Sequence, residues 1–278
     1  MMNISQALDF GKKNLEGLES PNLESEVILS VLLGTDRVYL KTHKEKILSW
    51  KETVIYKKWI TKRSKHFPMA YIIGYKIWGD LKILVNPNVL IPRDETEILM
   101  EHIVRLEKSL KNQSVVKILD IGTGSGCIAL FLKKMFPNAI VSALDLSKAA
   151  LRVAKDNAKV HQVDLNFLHS DLLEKIPKTF SFDVIVANLP YVPENEAVSL
   201  EVFKEPKKAI FSGDNGLETI KRLSVQLKRK QIKYKSLYLE FLPFQKKAIS
   251  EIFKEMKIDF IDDIGGESFF ARITQCSL

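Results

Sequence analysis

Apolar positions change their period twice along the chain. From about Ser5 to Lys65 they recur at helical spacing: "ISQALDFGKKNLE", then "NLESEVILSVLLG" with Asn22 as its expected cap and Gly34 as its stop, then a lysine-rich segment from about Lys51. This pattern predicts a small helical bundle over residues 1–66. Between 67 and 92, apolar residues alternate on either side of Gly79-Asp80, the signal of a β-hairpin, and Pro87 and Pro92 close the passage as a connector.

From 93 to 278 the two periods alternate. The stretches "ETEILMEHIVRLEK", "GCIALFLKKMF", "KAALRVAKDNAKV", "GLETIKRLSVQLK" and "FQKKAISEIFKEM" read as helices. Between and after them, "VVKILDIG", "AIVSALDL", "DLNFLHSD", "FDVIVANLP", "SLYLEFL", "IDFIDDI" and "SFFARITQ" read as strands. Such alternation predicts an α/β, Rossmann-like domain with a mainly parallel sheet covered on both faces, its ligand site outside the carboxyl ends of the strands.

Composition narrows the field. The chain has 278 residues, enough to bury a core, and its apolar runs fall short of the roughly 20 residues needed for a membrane span. No membrane association is expected, and the first residues lack the layout of a secretory signal, so a cytoplasmic location is expected. Two cysteines, Cys127 and Cys276, and five histidines without ligand spacing predict no metal. The net charge of +8 is concentrated in two lysine- and arginine-rich helical stretches. Each run is read first as a solvated helix face and second as a surface for an acidic or nucleic-acid partner.

The candidate chemistry lies at strand ends. "LDIGTGSG" places Gly122, Gly124 and Gly126 where a backbone must turn sharply and approach a ligand, with Thr123 and Ser125 between them. Cys127 stands where a dinucleotide fingerprint wants glycine or alanine. Asp120 before the glycines, and Asp145 at the end of the next strand, suit a ligand with a cationic tail and a ribose. S-adenosylmethionine has both. Asp171 and Leu172, after the third strand, are placed to meet its adenine.

The fourth strand ends in "NLPY", Asn188 to Tyr191. A planar amide or aromatic amine is a poor nucleophile, and two acceptors aimed at its N–H groups favour attack on a methyl group. The side-chain oxygen of Asn188 and the carbonyl of Leu189, presented by Pro190, supply two acceptors, and Tyr191 can stack on a flat substrate. On its own the tetrapeptide reads first as a turn; beside the donor site the acceptor reading prevails.

The chain resembles the peptide-chain release factor glutamine methyltransferases, the HemK family. The resemblance covers the helical N-terminal part, "PMAYIIGYKIWGDLKILVNPNVLIPRDETEIL", "ILDIGTGSGCIAL", "SALDLSKAALRVAKDNA" and "EPKKAIFSGDNGLETIKRL". It implies donor binding by Gly122 to Gly126, Asp145, Leu172 and Asn188, with Leu189, Pro190 and Tyr191 completing the substrate pocket. It also implies that the substrate is the glutamine of the Gly-Gly-Gln loop of class I release factors, gripped with the help of the N-terminal domain by a monomer that needs no direct contact with nucleic acid. Leu189 replaces the family's first proline, Asp94-Glu95 its usual Pro-Asp, and Phe241 and Leu242 its usual His and Gly; no basic residue follows the Gly-acid turn near the end. The alternatives are a ribosomal-protein glutamine methyltransferase, an RNA adenine methyltransferase, and a non-catalytic donor-binding module for ribosome or RNA.

Overall fold

The structure, a computed structural model, describes residues 2–262 and 266–275. Cys276 and the expected turn residues 263–265 lie outside that range. The chain forms two compact units: one runs to Tyr75 and takes in Val198–Lys204, and the other comprises Lys76–Ala197 with the residues from Glu205 onward. Residues 67–75, expected as part of the connector, therefore belong to the first unit.

That unit is built from α1 (Ile4–Asn14), α2 (Pro21–Leu33), α3 (Arg37–Thr42), α4 (Trp50–Arg63) and α5 (Met69–Ile73). The starts are set by side chains. Asn3 with Gln6, and Ser49 with Glu52, form reciprocal capping boxes on α1 and α4. Gly34 ends α2 in the left-handed conformation, as expected. Asn22 is not its cap: Pro21, with no N–H to satisfy, starts the helix two residues earlier than that cap implies, after Ser20. The short helices α3 and α5 carry too few residues to show a period. Ile4, Ile28, Leu29, Leu40, Tyr56 and Ile60 form the core. At its border the buried Arg63 joins Glu24 and Glu201, with Glu201 2.6 Å away.

Apart from its first residue, Tyr75, the hairpin of β1 (Tyr75–Trp78) and β2 (Leu81–Leu84) opens the second unit, turned at Gly79-Asp80 as the alternation predicts. There follow α6 (Asp94–Leu106), β3 (Val116–Ile121), α7 (Cys127–Met135), β4 (Ala139–Asp145), α8 (Lys148–Val160), β5 (Asn166–His169) and β6 (Ser181–Ala187). The remainder is α9 (Glu218–Lys230), β7 (Lys233–Glu240), α10 (Lys246–Ile252), β8 (Lys257–Asp262) and β9 (Ser268–Thr274).

The sheet order is β5-β4-β3-β6-β7-β9-β8. β3 to β7 run parallel, and β9 inserts antiparallel between β7 and β8. β3 and β6 are neighbours although two strands, β4 and β5, lie between them in the chain, so the winding reverses between them. A crevice opens there, beyond the carboxyl ends of the strands. β6 stops at Ala187 rather than continuing through Pro190, which releases the next four residues into that crevice. No described helix is long and apolar enough to cross a membrane.

Candidate active site

The glycine loop leaves β3 over a buried acid. Asp120 is fully buried; its Oδ2 accepts from the Thr123 hydroxyl at 2.6 Å, while its Oδ1 has no partner among the described residues. Burial pushes this carboxyl up to about 7, against the opposing hydrogen bond from Thr123. The loop is pinned to β4, since Gly122 and Thr123 both donate their N–H to the Leu144 carbonyl at 2.9 Å.

Asp145, at the end of β4, accepts from Gly124 N at 2.9 Å through Oδ2 and from Ser147 N at 2.7 Å through Oδ1. Burial raises its carboxyl and these two bonds oppose the rise. Gly126, with φ of 84°, begins α7; a Cβ there would stand 3.0 Å from that of Ala154. The absence of a side chain is what lets the loop lie against α8. Asn157 of α8 fastens the arrangement, donating to the carbonyls of Ser125 and Leu84, each at 2.9 Å.

A cleft of about 560 Å³ lies above the loop, with Gly122, Gly124, Asp145, Leu172, Asn188 and Pro190 in its wall. Leu189 and Asp171 also reach it, whereas Asp120, Thr123, Ser125 and Gly126 support the wall without forming it. Asp171 also has a protein partner: its Oδ2 accepts from Arg222 of α9 at 2.6 Å, closing one rim of the cleft.

Sequence reasoning missed the opposite rim, formed by Asn88 to Leu90 and Pro206 to Ala209. These segments are joined by the buried Glu205, which accepts from Ile91 N at 2.8 Å and from Arg93 at 2.6 Å. Their signal was present in "LIPRDE" and "EPKKAIF", but a carboxylate 112 positions from its arginine partner has no local pattern to reveal the pairing.

The NLPY segment is held by one carboxylate. Glu240 ends β7, and the register Ala187↔Leu239 makes Asn188 and Glu240 the next neighbours across the two strands. Asn188 Nδ2 donates to Glu240 Oε2 at 2.7 Å and to Thr96 Oγ1 at 3.2 Å. Thr96 in turn donates to the same Oε2 at 3.0 Å, and the Tyr191 hydroxyl donates to Oε1 at 2.7 Å. Burial raises the Glu240 carboxyl to about 7, against the bonds from Tyr191 and Thr96. Burial beside Glu240 likewise raises the Tyr191 hydroxyl.

Tyr191 does not line the cleft; its ring packs against the central core. Leu189 is also a core residue, with its side chain against Gly122. Gln245 Nε2 donates to the carbonyls of Tyr191 and Asn215, both at 2.8 Å, and so fixes the far side of the segment. Among the described residues no donor meets Asn188 Oδ1 or the Leu189 carbonyl. Neither do those residues gather a group suited to a metal, and Cys127 is a buried thiol pushed up to about 12 by burial.

This sheet order, glycine loop and acid-tipped neighbouring strand define a class I S-adenosylmethionine-dependent methyltransferase. The profile of the Methyltransferase small domain matches residues 94–240, and that of the PrmC N-terminal domain matches residues 6–74. The chain belongs to the family of release factor glutamine methyltransferases. It is 41% identical over 231 residues to the release factor glutamine methyltransferase of Koribacter versatilis, covering 81% of each chain. With that of Leptospira interrogans it shares 34% over 281 residues, covering 98% of this chain and 96% of the relative. Among solved structures, the hMettl16 catalytic domain shares the fold at a TM-score of 0.53 and 15% identity, over 82% of this chain and 83% of the other.

Proposed function

We propose that this protein transfers a methyl group from S-adenosylmethionine to the side-chain amide nitrogen of a glutamine, that of the Gly-Gly-Gln motif in class I release factors. The observation that carries the reading is the pair of unpartnered acceptors, Asn188 Oδ1 and the Leu189 carbonyl, beside the cleft. An amide nitrogen bears two N–H groups in one plane, and two fixed acceptors satisfy both. The names of the relatives support the same substrate.

The residues present fit the donor. Asp120 offers a fully buried, unpartnered oxygen beneath the glycine loop, suited to a cationic tail. Asp145 stands in the cleft wall with its carboxylate immobilised by two backbone N–H groups, suited to vicinal hydroxyls. Leu172 offers apolar contact for a base. When bound, the donor supplies an electrophilic methyl group on a sulfonium sulfur.

The protein's part is to hold and polarise the amide. Its nitrogen lone pair is delocalised into the carbonyl, and attack draws it out, making the N–H groups more acidic. Acceptors already in place then bind the transition state more strongly than the ground state. No strong base is required, because the proton leaves to water after the new bond forms. The helical N-terminal unit is assigned to gripping the factor, and the basic surface suits an acidic partner.

Incubation with methyl-labelled donor and a class I release factor, ribosomal protein or ribosomal RNA tests the reading. Label in the Gly-Gly-Gln peptide is expected. Label in a ribosomal protein or in adenine, or none at all, overturns it.

A further inference from the structure

An asparagine amide has an acceptor end and a donor end of nearly equal size, and packing alone does not choose between them. Its hydrogen-bond partners choose. We propose that Glu240 is a positioning residue whose carboxylate compels Asn188 to present its oxygen, not its N–H₂, to the substrate, an inference that rests on the amide-methylation reading above.

A carboxylate only accepts hydrogen bonds. Three donors converge on this one: Asn188 Nδ2 and the Thr96 hydroxyl on Oε2, and the Tyr191 hydroxyl on Oε1. Thr96, having spent its hydrogen on Glu240, is itself an acceptor toward Asn188. Every partner on the protein side of Asn188 therefore accepts. Turning the amide over would set its oxygen against two acceptors in a buried site, and would point N–H₂ groups at the N–H₂ of the substrate. Glu240 itself lies 3% exposed, at the end of β7, and is not in the cleft wall. It acts through Asn188 and, by holding Tyr191 as well, fixes both ends of the NLPY segment.

The test exchanges the polarity of the pair. Asn188→Asp alone sets two carboxylates against each other and is expected to lower turnover at least 100-fold. Glu240→Gln alone leaves one of the converging donors without its acceptor and is expected to cost about 10-fold. In the double variant the glutamine at 240 donates to the aspartate at 188 while still accepting from Tyr191, and Thr96 donates to the aspartate. One aspartate oxygen again faces the substrate. Turnover on release factor should recover at least 10-fold over Asn188→Asp.

A purely structural Glu240 would make the double variant no better than its worse parent; that result, in protein shown to be folded by its thermal melt, overturns the proposal. Should any variant fail to fold, side-chain amide exchange of the unmodified protein decides. The Nδ2 protons of Asn188 are expected to exchange slowly with solvent, and fast exchange refutes the assignment. If the parent leaves release factor unlabelled, the substrate reading falls, and the same exchange measurement judges Glu240 separately.

Discussion

Replacing Asp145 with alanine removes the side chain that joins the glycine loop to the start of α8, since its two oxygens hold Gly124 N and Ser147 N. Hydrogen bonds to a charged group are worth about 1.5–3 kcal/mol each, but the charge is held at a cost, as its raised carboxyl shows. The fold should therefore lose only about 1–2 kcal/mol, leaving the protein native at room temperature. Donor binding loses more consistently. Two ribose hydroxyls lose their acceptor and the loop loses its anchor, so affinity should fall by about 1–3 kcal/mol, or roughly 5- to 150-fold in Kd. Asp145→Asn is instructive because an asparagine can accept from only one of the two backbone N–H groups while its own N–H₂ faces the other; its Kd should lie close to that of the alanine variant. Calorimetric titration with S-adenosylmethionine, paired with thermal melts, measures both quantities. A folded alanine variant with the parent's Kd would remove Asp145 from the donor site.

Asn188→Ala should lower turnover roughly 100-fold or more, because it removes an acceptor held in place beforehand; single-turnover rates below a tenfold loss would contradict this. Leu189→Pro keeps the carbonyl, and the Leu189 N–H donates to nothing among the described residues, so glutamine methylation should persist with about 1 kcal/mol lost from the trimmed core side chain; a folded, donor-binding but inactive variant would point to another substrate. Gly216→Ala should destabilise the protein by more than about 3 kcal/mol, visible as a large drop in Tm: the new Cβ would lie 2.0 Å from the Tyr191 carbonyl oxygen at a backbone φ of 72°. Stability and activity should run in opposite directions with pH. Asp120 and Glu240 titrate near 7 when folded, against 3.8 and 4.5 as ordinary carboxyls, so the native state takes up protons first. The donor-free protein should gain stability as pH falls from about 8 toward 5, while turnover falls as Glu240, facing Tyr191 and the charges of Arg93 and Glu95, becomes protonated. Melting curves and rate profiles that rise and fall together would refute the assignment.

The alternation of helix and strand from Glu95 onward was legible because its longer elements repeat their own period several times over; α8 spans Lys148–Val160 just as the pattern predicts. The glycines at 122, 124 and 126 were legible too, since all three take positive φ, which glycine tolerates best. What stayed hidden was long-range. Thr96 and Glu240 stand 92 and 52 positions from Asn188, and neither sits in a pattern that announces a partner. Asp171 shows both sides: its place after the third strand argued for a position in the cleft, where it stands, but nothing local announced Arg222, 51 residues on, as the partner of its Oδ2. The cap of α2 was misplaced because Asn22 is a good cap by type, whereas Pro21 favours a first-turn position more strongly.

The ion pair between Arg63 and Glu201 has a consequence for biosynthesis. The two residues are 201 − 63 = 138 positions apart, yet belong to the same compact unit. At roughly 5–20 residues per second, a nascent chain would complete the five helices and then wait on the order of 10 s before Glu201 emerged. During that interval Arg63 has Glu24 but not its second carboxylate. The helical unit thus gathers its core early but acquires its last segment late. That segment follows synthesis of β3 to β6, and a premature stop before residue 198 would leave Arg63 with Glu24 as its one carboxylate partner among these three residues.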